Sequence, residues 1–120
     1  MFYFASAFNN GGSANINNWV LNTTSDVSMQ SMFRGTSFNQ NIGNWNVSKV
    51  TDFTNFMLDK TPATFSSTNL DAIYNGWIVN GVKPNVNISF GGAKYTSAGT
   101  AGRLTLTSAP NNWIITDGGL

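Results

Sequence analysis

The chain has no cysteine and no histidine. The first absence excludes disulfides and thiolate metal sites. The second removes the usual general base and the commonest metal ligand. Glutamate is absent too, so the acids are Asp26, Asp52, Asp59, Asp71 and Asp117, with no Asp-x-Asp cluster to hold calcium. No spacing brings the remaining Ser, Thr, Lys and Asp together as a base and nucleophile. Catalytic residues, metal ligands and cofactors are therefore expected to be none. Charge itself is scarce: 9% of residues are Asp, Glu, Lys or Arg, against about 25% in ordinary domains. The six cations, Arg34, Lys49, Lys60, Lys83, Lys94 and Arg103, are scattered and the net charge is +1, which is no nucleic-acid footprint. No apolar run approaches the roughly 20 residues of a membrane span. The opening residues 1–8 lack the basic region and apolar length of a signal peptide.

What is present is a core and many amides. Apolar content of 41% is enough for a folded domain, and Asn alone contributes 18 residues. Asn and Ser favour turns because their side chains bond nearby backbone groups. Two stretches are versions of one phrase. Met1-Phe2, Phe8-Asn9 and Ile16-Asn17-Asn18-Trp19 return as Met32-Phe33, Phe38-Asn39 and Ile42-Gly43-Asn44-Trp45. Ile16 to Ile42 and Trp19 to Trp45 are each 26 residues. A fixed period of this size indicates a solenoid, whose coils bury their apolar sides against one another. Met1 fits the middle of a phrase, as an internal residue of a longer chain or as an initiator that matches the pattern.

The rest of the chain keeps the rhythm. Strands are expected near residues 17, 44, 65, 88 and 114. Ile42, Trp45 and Val47 suit a short strand, and Asp52 can cap a helical turn carrying Phe53, Phe56 and Met57. Leu70, Ile73, Tyr74, Trp77 and Ile78 form a helical stripe, with Thr68 as N-cap and Asp71 completing a near capping box. A second helix is expected over residues 96–108, with Ala98, Ala101 and Leu104 inward. The fold expected is α/β: a right-handed, leucine-rich-repeat-like solenoid of short parallel strands alternating with helices. Residues 1–60 would be repeats and residues 61–120 degenerate coils ending in a cap, all one continuous domain.

The run Phe38-Asn39-Gln40-Asn41-Ile42-Gly43-Asn44-Trp45-Asn46-Val47-Ser48-Lys49-Val50-Thr51-Asp52 closely resembles the 26-residue repeat of bacterial surface proteins, the BspA-like, DUF285-type repeat. Asn41 stands where that phrase usually has Asp, and Phe53 where it has Met; both changes keep the physical role. The tail from Leu70 through Trp113-Ile114-Ile115-Thr116-Asp117-Gly118-Gly119 is similar to the ending of such arrays. The resemblance implies surface display, in bacteria or on a virion, and adhesion or recognition. It supplies no catalytic residue.

Trp45, Trp77 and Trp113 are expected in the core with Ile42, and Asn18 with Asn44 as an amide pair between coils; Asn9 with Asn39 is a second. Trp19 is the exception, a candidate sugar platform because its coil is irregular. Extra residues at 10–15 and 22–25 map to loops, and loops on a rigid array carry recognition. Asn10, Ser13, Asn15, Asn22, Thr23 and Thr24 are thus the candidate binding residues beside Trp19. The expected function is a non-enzymatic recognition or adhesion module, extracellular or at the cell surface, binding a glycan or protein on another surface. The alternative is a structural subunit of a virion, fibre or surface layer. It would self-associate or join other virion proteins through coil stacking or edge strands. Neither reading involves nucleic acid or membrane insertion.

Overall fold

In the computed structural model, which describes residues 2–120, β-branched residues form four short strands. Met1, and with it both readings of that residue, lies outside the described residues. Strand β1 (Val27–Ser28) pairs in parallel with β2 (Val50–Asp52), the register slipping between Val27 and Ser28. After helix α1 (Ser67–Trp77), β3 (Asn87–Ser89) pairs in parallel with β4 (Ile114–Thr116), residue by residue. A single parallel bridge, Phe53 to Ile88, joins the two pairs. Helix α2 (Thr100–Thr107) lies between β3 and β4 in sequence. The product is a small mixed α/β domain whose sheets, among the described residues, stay open.

Equivalent residues of the two phrases lie over one another. The Phe2–Phe8 stack sits on the Phe33–Phe38 stack, with Phe2 to Phe33 at 5.8 Å and Phe8 to Phe38 at 6.1 Å. The Trp19 and Trp45 rings are 6.2 Å apart and 10° from parallel. Behind them Ile42, Phe53, Phe56, Phe65, Tyr74 and Trp77 are fully buried. After β2, Asp52 Oδ1 accepts from the Thr54 N–H at 2.9 Å, as expected of a cap, but the segment is a turn and not a helix: the Phe56 N–H closes on the Phe53 carbonyl, with Asn55 at φ 57° and Phe53 in a β-bridge.

Strands β3 and β4 lie near residues 88 and 114, as expected, but the three strands expected near 17, 44 and 65 are absent, and β1 and β2 fall elsewhere. Ile42, Trp45 and Val47 are buried but form no strand, because Asn41 and Asn46 each bend the chain by accepting from the N–H two residues on, Gly43 and Ser48. Residues near 17 form a short 3-10 helix, Ala14–Asn18. Residues 63–66 are a turn closed by Thr61 and Thr64.

Helix α1 buries Leu70, Ile73, Tyr74 and Trp77, the expected stripe. Its cap is Ser66, whose Oγ accepts from the Asn69 N–H, rather than Thr68. Asp71 completes no capping box; its carboxylate accepts the Thr96 N–H at 2.8 Å and the Thr96 hydroxyl at 2.6 Å. Asp26 precedes β1 and pairs with Lys83. In α2 the inward face is Gly102 and Leu106, preceded by Gly99, while Ala98, Ala101 and Leu104 are exposed. Small residues win because the helices pack so closely. A Cβ on Gly99 would meet the Asp71 carboxylate, and one on Gly102 the Tyr74 carbonyl. The last strand is locked by Asp117, which accepts from the Tyr74 hydroxyl at 2.5 Å and from Arg103 Nε at 2.8 Å.

Helix α1 also meets the second phrase at a close glycine contact: a Cβ on Gly76 would overlap the Gly43 carbonyl. Gly76→Ala is expected to lower stability by about 1–3 kcal/mol through this overlap, read as a shift of the urea midpoint with an unchanged slope. An exposed-site substitution such as Ala101→Ser serves as the control and leaves the midpoint in place.

Candidate functional site

Three tryptophans repeat one interaction. The indole N–H of Trp45 donates to the Ile16 carbonyl at 2.7 Å, that of Trp77 to the Ile42 carbonyl at 2.9 Å, and that of Trp113 to the Lys83 carbonyl at 2.7 Å. Each ring fills the core, and its one polar atom is satisfied by an earlier segment of chain. Amides form a second set of links. Asn9 Oδ1 accepts from the Asn39 N–H at 2.7 Å, and Asn39 Oδ1 from the Ser66 N–H at 2.9 Å and from the Asn69 side chain at 3.0 Å. The expected Asn18–Asn44 pair is displaced by one residue: the Asn44 N–H donates to Asn17 Oδ1 at 2.9 Å. The tight 3-10 turns of Ala14–Asn18 carry Asn17 to the second phrase, while Asn18 is exposed beside Trp19.

The loop residues singled out from the sequence spend much of their polarity on one another. The Asn10 amide donates to the Ser13 carbonyl, and Ser13 Oγ accepts from the Asn15 N–H. Asn22 Oδ1 accepts from the Thr24 N–H, the Thr24 hydroxyl and the Ser25 N–H. These are ordinary turn bonds. Thr23 is exposed and lines a hollow of about 340 Å³ with Asn17, Asn18, Trp19, Asn44 and Asn46. Trp19 is 41% exposed and also borders an apolar hollow of about 400 Å³ with Leu21, Val27, Met29 and Met32.

Sequence reasoning missed another surface. Where β2 and β3 are joined by the single Phe53–Ile88 bridge, a hollow of about 270 Å³ opens on the outer side of the strands. Asn55, Asn87, Ser89, Ile114 and Thr116 line it. Among the described residues the Asn55 and Asn87 amides and the Thr116 hydroxyl make no hydrogen bond, and Ile114 is 66% exposed. Alternation was the available signal: with Ile88 buried, Asn87 and Ser89 point the other way. The bond of Thr54 to Asp52 at its margin holds that carboxylate below its usual range.

Among the described residues no group of three or more acidic side chains gathers as a metal site, and no helix is long and apolar enough to cross a membrane. One cation is buried. Lys60 is 4% exposed, and its Nζ donates to the Thr36 and Phe38 carbonyls, each at 2.7 Å. Desolvation pushes its pKa down to about 8.

Short parallel strands, two helices and core indoles bound to earlier segments define the class: a small mixed α/β domain. The chain belongs to the family described as Mycoplasma protein of unknown function, DUF285, whose model matches residues 1–98. No curated protein and no solved structure matches it significantly.

Lys60 makes stability depend on alkaline pH. Its pKa is about 8 in the folded chain and 10.5 in the unfolded one, so between those values the unfolded state binds more protons. Stability then rises with pH across that window, by up to about 3 kcal/mol for a shift of this size. Tyr74, pushed up by burial and by Asp117, opposes this at the upper end. Denaturant titrations of wild type and Lys60→Met, run from about pH 7.5 to about pH 10, isolate the lysine by difference; the variant is expected to lose the rise.

Proposed function

We propose that the chain is a non-enzymatic recognition module built as a solenoid of stacked phrases, displayed on a cell surface or a virion, and that it binds a glycan or protein on another surface. The observation that carries the reading is the hollow beside the bridge. A free amide, a free hydroxyl and one exposed apolar side chain are held there on paired strands, and a second free amide, that of Asn55, on the turn after β2. Convergent polar groups around a small apolar contact suit hydroxyl-rich ligands. Strands hold such groups more firmly than loops do. This favours Asn55, Asn87, Ile114 and Thr116 over Asn10, Ser13, Asn22 and Thr24, whose side chains are engaged in their own turns. Surface display draws its support from the repeat resemblance and from a charge-poor, amide-rich exterior.

The test is a glycan array and a cell-binding assay on wild type, Asn87→Ala and a chain shortened within residues 10–15. Asn87→Ala is expected to weaken binding about tenfold, as loss of a central contact does, with no change in thermal midpoint. Shortening the loop is expected to leave binding intact. The opposite pattern moves the site to the loops, and a wild-type chain that binds nothing in either assay removes the reading.

A further inference from the structure

The first phrase exposes the surface that the second phrase buries. Trp45, Phe33 and Phe38 are fully buried, whereas Trp19 is 41% exposed and Phe2 and Phe8 only half-buried. Tyr3 at 51%, Phe4 at 57% and Val20 at 95% add to the same stretch of chain. Such a run of exposed apolar side chains marks an interaction surface.

Its polar atoms say what fits. The indole N–H groups of Trp45, Trp77 and Trp113 each reach a carbonyl of an earlier segment. Trp19 holds the phrase position of Trp45, yet among the described residues its indole N–H has no acceptor. The Asn39 N–H is taken by Asn9 of the first phrase. The Asn9 N–H, its equivalent, has no acceptor among the described residues. Strand β1 is paired on one side only. Aromatic faces, a backbone donor, an indole donor and a strand edge are thus all open on one end, in the arrangement that a phrase-bearing segment fills one unit later.

We infer that this end is a docking face for a further polypeptide unit carrying the same phrase. That unit would offer the Trp19 indole a backbone carbonyl from the position of Ile16, and the Asn9 N–H an amide oxygen from the position of Asn9. Its own ring pair would cover Phe2 and Phe8. The inference concerns a surface apart from the hollow beside the bridge and does not depend on the recognition reading.

The test adds the unit. A second copy of residues 32–55 is placed directly ahead of the full chain, and all tryptophans are labelled with 5-fluorotryptophan. The ¹⁹F solvent isotope shift of Trp19, assigned through Trp19→Phe, reads its exposure. Docking is expected to bring that shift down to the value of Trp45 in the same spectrum. An extension whose added isoleucine and tryptophan are serine is expected to leave Trp19 unchanged. An unchanged Trp19 signal in the unaltered extension, with the remaining tryptophan signals at their wild-type positions, overturns the inference. A poorly folded extension is replaced by titrating the full chain with a peptide of residues 32–57, and failure to shift Trp19 at saturating peptide counts equally against it. A glycan that shields Trp19 in the unextended chain, where the phrase does not, assigns the face to sugar instead. Binding lost in Asn87→Ala leaves the Trp19 result untouched, so the two readings fail separately.

Discussion

A buried tryptophan needs a partner for one atom. The ring contributes more apolar area than almost any other side chain, but its N–H cannot be left dry without cost. Here the partner is a backbone carbonyl from an earlier segment, at Ile16 for Trp45 and at Ile42 for Trp77. One residue therefore does two jobs: its ring fills the core, and its N–H fixes which stretch of chain lies next door. Ile42 shows the linkage most clearly, since its side chain is fully buried while its carbonyl receives Trp77. The helix that carries Trp77 can come that near because Gly76 and Gly43 meet without side chains.

The scarcity of charge follows from the same use of short segments. Strands of two or three residues satisfy few backbone groups, and the turns between them leave many N–H groups to be met. Asparagine meets them, within a turn at Asn22, Asn41 and Asn46, and between segments at Asn9, Asn17 and Asn39. Charged side chains would do this work less well, because ions held between packed segments lose hydration. The exceptions are instructive. Asp71 and Asp117 are retained where they collect two or more donors each. Lys60 has two carbonyls and no carboxylate, and it has the depressed pKa to match.

Much of this was legible in the phrase itself. The recurrence of Phe, Ile and Trp located the residues that now lie over one another, and the stripe from Leu70 to Trp77 located α1. Strands β3 and β4 were legible near residues 88 and 114, but the strand expected near 44 is not formed, because burial does not imply extension: Ile42, Trp45 and Val47 are inside, yet the asparagines among them turn the chain. The inner face of α2 was misread because alanine and leucine suggest a core, whereas close helix packing selected Gly99, Gly102 and Leu106. Asn17 was passed over for Asn18, since the pitch of a 3-10 helix cannot be read from spacing. The hollow beside the bridge joins residues up to about 60 positions apart, so alternation around Ile88 shows which side chains of β3 face outward but not which residues they meet there.

Hydrogen exchange of the four indole N–H groups, resolved by NMR in the intact chain, bears most directly on the link between each tryptophan and the segment before it. The account predicts that Trp45, Trp77 and Trp113 exchange only when the chain unfolds, and that Trp19 exchanges far faster. Trp45 exchanging as fast as Trp19 would contradict it, because the carbonyl of Ile16 would then not hold the second phrase against the first.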